Sequence, residues 1–158
     1  MKRTMLFALA FLLLAAALPA REYTHRSGGI KIWFPDSWNV QVDESTLIAT
    51  APDRDNQYYL DVLPVDRLED SLGAYAEVLD AFMPGFTAVT EPRSGSLHGM
   101  PQYWFDGIGY VDGRKWFVGV SLVNTGRAIV IYAIRTADGV AAKYEQVSQQ
   151  IFNSIQRI

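Results

Sequence analysis

The sequence predicts an α+β domain, a mainly antiparallel β-sheet flanked by helices on both faces and preceded by a signal peptide. Three observations lead there. The chain opens on a charged, then apolar, then small-residue segment. Hydrophobic periodicity then runs strands, helix, strands, helix, the order of an α+β domain. The last three strands are apolar at both parities, where a sheet wetted on one face would alternate with polar residues.

The opening segment, residues 1–20, carries Lys2 and Arg3, an apolar block from Met5 to Leu18, and the small residues Ala15, Ala17 and Ala20. This is the pattern of a secretory signal. Its apolar block, at about fourteen residues, falls short of the roughly twenty that span a bilayer, and Pro19, Arg21 and Glu22 follow at once. Cleavage after Ala20 would put Leu18 at the third position back, and cleavage after Ala17 would put Ala15 there, so both sites stay open. The chain has no cysteine, which rules out a lipid-modified amino-terminal cysteine and leaves stability to core packing without disulfides. Residues 21–158 form one domain's length. Losing Lys2 and Arg3 leaves twelve Lys and Arg against seventeen Asp and Glu, a formal charge of −5. That balance suits a soluble periplasmic or secreted protein and argues against nucleic acid or an anionic membrane as the partner. After signal cleavage no membrane anchor is expected.

The elements follow in order. Tyr23 to Ser27 reads as a short strand, Gly28-Gly29 as a turn, and Ile30 to Phe34 as a strand of β-formers ending at Pro35. Asn39 to Val42 and Leu47 to Ala51 read as a hairpin, and Tyr58 to Leu63 as the next strand, closed by Pro64. From Ser71 to Met83 the period changes: Leu72, Tyr75, Leu79, Phe82 and Met83 share a helical face, and Pro84-Gly85 supplies a stop. Phe86 to Thr90 reads as a strand and Pro92 to Pro101 as a turn-rich stretch. Three apolar strands come next, Gln102 to Val111, Arg114 to Val123 and Ala128 to Arg135. Asp112-Gly113 between the first two is a strong hairpin signal. A helix from Asp138 to Ile155, striped with Val140, Tyr144, Val147, Ile151 and Ile155, closes the chain.

The run Gly29-Ile30-Lys31-Ile32-Trp33-Phe34-Pro35-Asp36-Ser37-Trp38-Asn39-Val40 resembles the opening of the PsbP-like group, which includes the DcrB-type envelope proteins and the Mog-type Ran-binding proteins. The likeness extends through the mid-chain helix, the hairpin from Tyr103 to Val123 and the terminal helix ending in Asn153-Ser154-Ile155. It implies an antiparallel sheet between helices, and a binding or accessory role with no shared catalytic motif.

The residues themselves offer little chemistry. Ser94-Gly95-Ser96 lacks the glycine-flanked elbow of a hydrolase serine, and His25 and His98 have no activated nucleophile near them in sequence. Two histidines without a short-spaced motif make no zinc site. Asp53-Arg54-Asp55-Asn56 clusters oxygen ligands, but a calcium loop needs glycine where Tyr58 stands and glutamate where Pro64 stands. Gly107-Ile108-Gly109 leads to another strand, not to a phosphate-cradling helix. No metal or cofactor is expected.

A two-residue turn at Asp112-Gly113 sets Gly109 opposite Trp116, Gly107 opposite Val118 and Asp106 opposite Gly119, so bare glycine would let an indole lie on the sheet. With Thr125-Gly126 as a second such turn, Gly119 faces Tyr132, and Trp104, Asp106, Ser121 and Tyr132 share one face. Either the Tyr132 hydroxyl bonds to Asp106 in a buried polar set, or the cluster is a site. Trp33 and Trp38, astride Pro35, are the second candidate surface, for a protein or small-molecule ligand. The leading expectation is a non-enzymatic exported accessory or binding protein. The alternatives are a small hydrolase or metal-dependent enzyme using Asp106, Tyr132 and a histidine, which requires His98 beside Asp106, and a structural envelope component or effector-neutralising protein.

Overall fold

The computed structural model of the protein describes residues 19–158; the export signal read at residues 1–20 lies outside them except for its last two residues. In chain order the elements are β1 (Ala20–His25), β2 (Ile30–Pro35), β3 (Asn39–Val42), β4 (Thr46–Thr50), β5 (Asn56–Val62), a 3-10 turn (Leu68–Asp70), α1 (Ser71–Asp80), β6 (Thr87–Ala88), β7 (Arg93–Leu97), β8 (Met100–Val111), β9 (Arg114–Asn124), β10 (Ile129–Ala137), α2 (Ala141–Ser154) and β11 (Gln156–Arg157). The class is α+β, as the element order predicts.

Eight strands form one antiparallel sheet in the order β3-β4-β5-β10-β9-β8, with β6 and β7 both pairing along β8. β1, β2 and β11 make a separate three-stranded sheet. Strand β10 lies between β5 and β9, and Ile129, Val130, Ile131, Tyr132 and Ala133 are all buried in succession. Both of its faces are covered, which is why its sequence lacks polar alternation.

One face of the large sheet, with Leu63, Val118, Val120, Leu122 and Ile131, packs against α1 through Leu79 and against Phe82 and Met83 just beyond it. The opposite face, with Tyr58, Leu60, Val123, Val130 and Tyr132, packs against Ile30, Ile32 and Phe34 of β2, Trp38, and Tyr144 and Ile151 of α2. The small sheet therefore shares the cover that helices alone were expected to give. The cover stops short of the β8–β9 hairpin end, where Tyr110 and Phe117 are exposed.

The β8–β9 register is the one read from Asp112-Gly113: both residues have positive φ, at 50° and 76°, and Gly109 faces Trp116, Gly107 faces Val118 and Asp106 faces Gly119. The glycines serve a different neighbour than expected. A Cβ on Gly107 would lie 2.2 Å from the Phe86 ring and one on Gly109 2.3 Å from Met83 Cε, so they admit the chain that follows α1, not an indole.

The second turn differs. Asn124 pairs with Ile129, leaving a four-residue loop in which the Thr125 hydroxyl accepts from the backbone N–H groups of Arg127 and Ala128, each at 3.2 Å. The pairing shifts by two residues, so Gly119 faces Ile134 and Ser121 faces Tyr132. An even shift keeps every side chain on its face.

The stretch read as turn-rich contains β7, paired with β8 through a tight turn at His98-Gly99 with φ of 48° and 83°. Its polar sequence hid it: four of its five residues are exposed. Helix α1 ends at Asp80, the strand after it shrinks to Thr87–Ala88, and α2 begins only after Gly139, whose φ is +85°.

Candidate functional site

Two concavities lie on the face covered by α2. The larger, about 780 Å³, opens between the β2–β3 turn and α2 and is lined by Pro19, Pro35, Trp38, Tyr144, Val147 and Gln150 among others. Trp38, buried but for a small part of its surface, is one of its lining residues. The indole stacks on Phe34 with centroids 6.0 Å apart and meets Tyr144 edge-on at 6.4 Å, so the ring is held by packing on two sides.

Tyr144 is fixed in turn by the loop before β5. Its hydroxyl donates to one carboxylate oxygen of Asp53, and the Lys143 ammonium donates to the other. Those two donors, Lys143 foremost, hold the Asp53 carboxyl at about 2, well below its ordinary range. Burial and the same carboxylate push the Tyr144 hydroxyl upward. Asp55 beside it binds Arg114 at 2.6 Å. The acidic cluster at residues 53–56 is thus consumed by structural partners, with Arg54 at φ 65° completing the turn.

The smaller cavity, about 390 Å³, lies where the α2 cover ends. Gln102, Trp104, Ser121, Tyr132, Ile134 and Phe152 line it, with Asp106 at its margin. Trp104, Ser121 and Tyr132 form one cross-strand row through β8, β9 and β10. Trp104 lies across Gly95 of β7, where a Cβ would come within 2.7 Å of the ring, and the Arg93 guanidinium sits 5.5 Å from its centroid. Four of the six candidate residues, Trp104, Asp106, Ser121 and Tyr132, are therefore brought to one cavity.

The expected bond from Tyr132 to Asp106 is not formed. The two-residue shift sets Asp106 in the row of Gly119 and Ile134, and its exposed carboxylate pairs with Arg93 at 3.4 Å. The Tyr132 hydroxyl is buried without a partner, as is Oε1 of Gln102, and burial pushes the Tyr132 hydroxyl well above its ordinary range. Gln102 and Phe152 were missed in the sequence. The available signal for Gln102 was its spacing of two from Trp104 on one strand, which fixes a shared face.

Trp33 and Trp38 do not act together. Trp33, half-buried at the fourth position of β2, alternates with the buried Ile32 and Phe34, and its backbone N–H donates to Ser154 Oγ at 2.9 Å. Trp38 alone reaches the groove.

The histidines are spent elsewhere. His25 Nε2 donates to the Ser45 carbonyl at 2.5 Å, and His98 Nδ1 donates to the Ile155 carbonyl at 2.7 Å. His98 precedes the start of β8, and Asp106 lies six residues along that strand from Met100, about 20 Å at strand rise. The arrangement that a hydrolase at Asp106 required is absent.

No family model matches the chain, and no curated protein sequence does. Solved structures do. The solution structure of cyanobacterial PsbP (CyanoP) from Synechocystis sp. PCC 6803 superposes with a TM-score of 0.60 at 13% identity, covering 91% of this chain and 95% of that one. The Ran-binding protein Mog1p of Saccharomyces cerevisiae gives 0.55 at 12% identity, covering 89% and 96%. The chain has the PsbP/Mog-like fold. LpqN of Mycobacterium tuberculosis, described as involved in cell envelope biogenesis, shares this PsbP/Mog-like arrangement with a TM-score of 0.52 at 14% identity, covering 87% and 89%. Among the described residues, no helix is long and apolar enough to cross a membrane.

Proposed function

We propose that this protein is a non-enzymatic accessory protein, exported across the inner membrane, that binds a protein partner through the groove between Trp38 and Tyr144. The groove carries the reading. Its lining includes the indole of Trp38, fixed by Phe34 and Tyr144, with the apolar Pro35 and Val147 and the polar Gln146 and Gln150, and a rigid aromatic anchor inside a polar rim is the usual form of an interface hot spot. The histidines are committed to backbone carbonyls, which removes the acid–base pair an enzyme reading would use. Mog1p is by name a Ran-binding protein and LpqN is described as acting in envelope biogenesis; both support a binding role, and the second supports an envelope setting.

Export with cleavage after Ala17, not Ala20, fits the fold better. Ala20 pairs with Pro35, and the Pro19 carbonyl accepts from the Asp36 N–H at 2.9 Å, so removing both residues would strip one end of β1 and one wall of the groove.

The test is site-specific photocrosslinking in the native host. A photoreactive residue at Gln150, exposed on the groove rim, is expected to give one discrete adduct in the envelope fraction that disappears on Trp38→Ala. The same probe at Leu72, on the opposite side of the molecule, is expected to give none. Equal adducts at both positions, no adduct at Gln150, or turnover of a substrate by the purified protein would each overturn the reading.

A further inference from the structure

We infer that the smaller cavity beside β8, β9 and β10 binds a small, uncharged molecule with an apolar body and a hydroxyl group. The inference is independent of the Trp38 groove and rests on two residues that line one cavity and each carry an unpaired polar atom. Tyr132 is 3% exposed and Gln102 8% exposed. Both line the cavity, and neither the Tyr132 hydroxyl nor Gln102 Oε1 has a hydrogen-bond partner. Buried polar side-chain atoms are paired in the large majority of cases, and exceptions call for an explanation.

The two atoms are complementary in kind. A phenol hydroxyl donates, and an amide oxygen accepts. Both atoms are covered by neighbouring side chains; a ligand hydroxyl that displaces this cover accepts from Tyr132 and donates to Gln102, which stands two residues along β8 from Trp104 on the same face. The other walls suit an apolar body, since Trp104, Ile134 and Phe152 present rings and aliphatic carbon. At about 390 Å³ the space holds roughly a dozen water-sized groups.

Charge argues for a neutral ligand. The one ionised side chain in the lining is Asp106, which lies exposed at the margin and is paired with Arg93 at 3.4 Å. An anion would meet Asp106, and a cation would have to compete with Arg93.

The probes are p-cresol and p-xylene, which share a shape and differ in one hydroxyl. Titrated into the purified protein and followed by amide NMR, p-cresol is expected to shift the Gln102 side-chain amide and the Ser121 backbone amide in a saturable way. p-Xylene, which makes neither bond, is expected to bind about thirtyfold more weakly, the size of two lost hydrogen bonds. Tyr132→Phe removes one of the two and is expected to weaken p-cresol about fivefold and leave p-xylene unchanged. Gln102→Leu gives the same comparison from the acceptor side if Tyr132→Phe disturbs the fold. Equal affinity for the two probes, p-cresol binding insensitive to both substitutions, or no saturable shift with either probe would overturn the assignment; the last result would mean that water alone satisfies the two atoms.

Discussion

The guanidinium of Arg135 lies 4.7 Å from the centre of the Phe82 ring and donates to the Phe82 carbonyl at 2.5 Å. On its other side the Trp116 ring is 5.0 Å away, and Nε donates to Gln57 Oε1 at 2.7 Å. One side chain on the central strand thus ties the end of α1 to the sheet, combining ring stacking with a planar donor set that lysine cannot reproduce. Arg135→Lys is expected to lower unfolding stability by about 1–2 kcal/mol, measured as the urea midpoint. An unchanged midpoint would show the stacking to be incidental.

Two glycines on adjacent strands should respond unequally to alanine. At Gly107 a Cβ would lie 2.2 Å from the Phe86 ring and 2.5 Å from the Thr87 carbonyl oxygen, which is backbone and cannot step aside. Gly107→Ala is expected to cost about 2–3 kcal/mol through overpacking. At Gly119 the nearest atom is Asp106 Oδ1 at 3.7 Å, an ordinary contact, and Gly119→Ala is expected to stay within about 0.5 kcal/mol of the parent. Thermal denaturation of the pair checks both, and equal losses would contradict the packing described.

Asp53 links stability to acid. Its carboxyl titrates at about 2 in the fold against 3.8 ordinarily. A depressed carboxylate contributes stability that is complete above the unfolded value and is lost as pH falls through the folded one. Between about pH 4 and pH 2 the protein should therefore lose stability in a way that Asp53→Asn does not. Denaturant titrations at several pH values in that window measure the difference; parallel acid limbs for parent and variant would remove Asp53 from the account.

If the protein is exported with cleavage after Ala17, as proposed, Leu18 becomes its first residue. Intact-mass analysis of material recovered from the extracytoplasmic fraction is expected to fit a chain starting at Leu18. A chain starting at Arg21, as stable as one carrying Pro19 and Ala20, would show that the Ala20–Pro35 pair is dispensable.

Local chemistry made part of this fold legible. Asp112-Gly113 needs positive φ at both residues, so the β8–β9 register could be counted outward from it. Side-chain hydrogen bonds are harder to foresee: Thr125 closes a four-residue loop where Thr125-Gly126 suggested a shorter one. Because the resulting shift was even, Trp104, Ser121 and Tyr132 kept one face while the Tyr132–Asp106 bond was lost. Strand β7 escaped because an exposed edge strand carries no apolar alternation. The partners of Gly107 and Gly109 come from the chain after α1, a tertiary meeting that no cross-strand count contains. The apolar stripe of α2 accounts for Tyr144 as a packing residue, and its bond to Asp53, ninety-one positions away, lies beyond any local pattern.

The three-stranded sheet joins the two ends of the fold. β2 takes β1 on one edge and β11 on the other, and the Ile158 N–H closes on the Gly29 carbonyl at 3.1 Å. β2 emerges more than a hundred residues before its partner strand and must wait for residues 156 and 157 before its second edge is filled, and contacts of such sequence separation form late. The wiring delays locking until residues 156–158 have arrived, so a chain threaded amino end first through a narrow channel stays unlocked until they have passed.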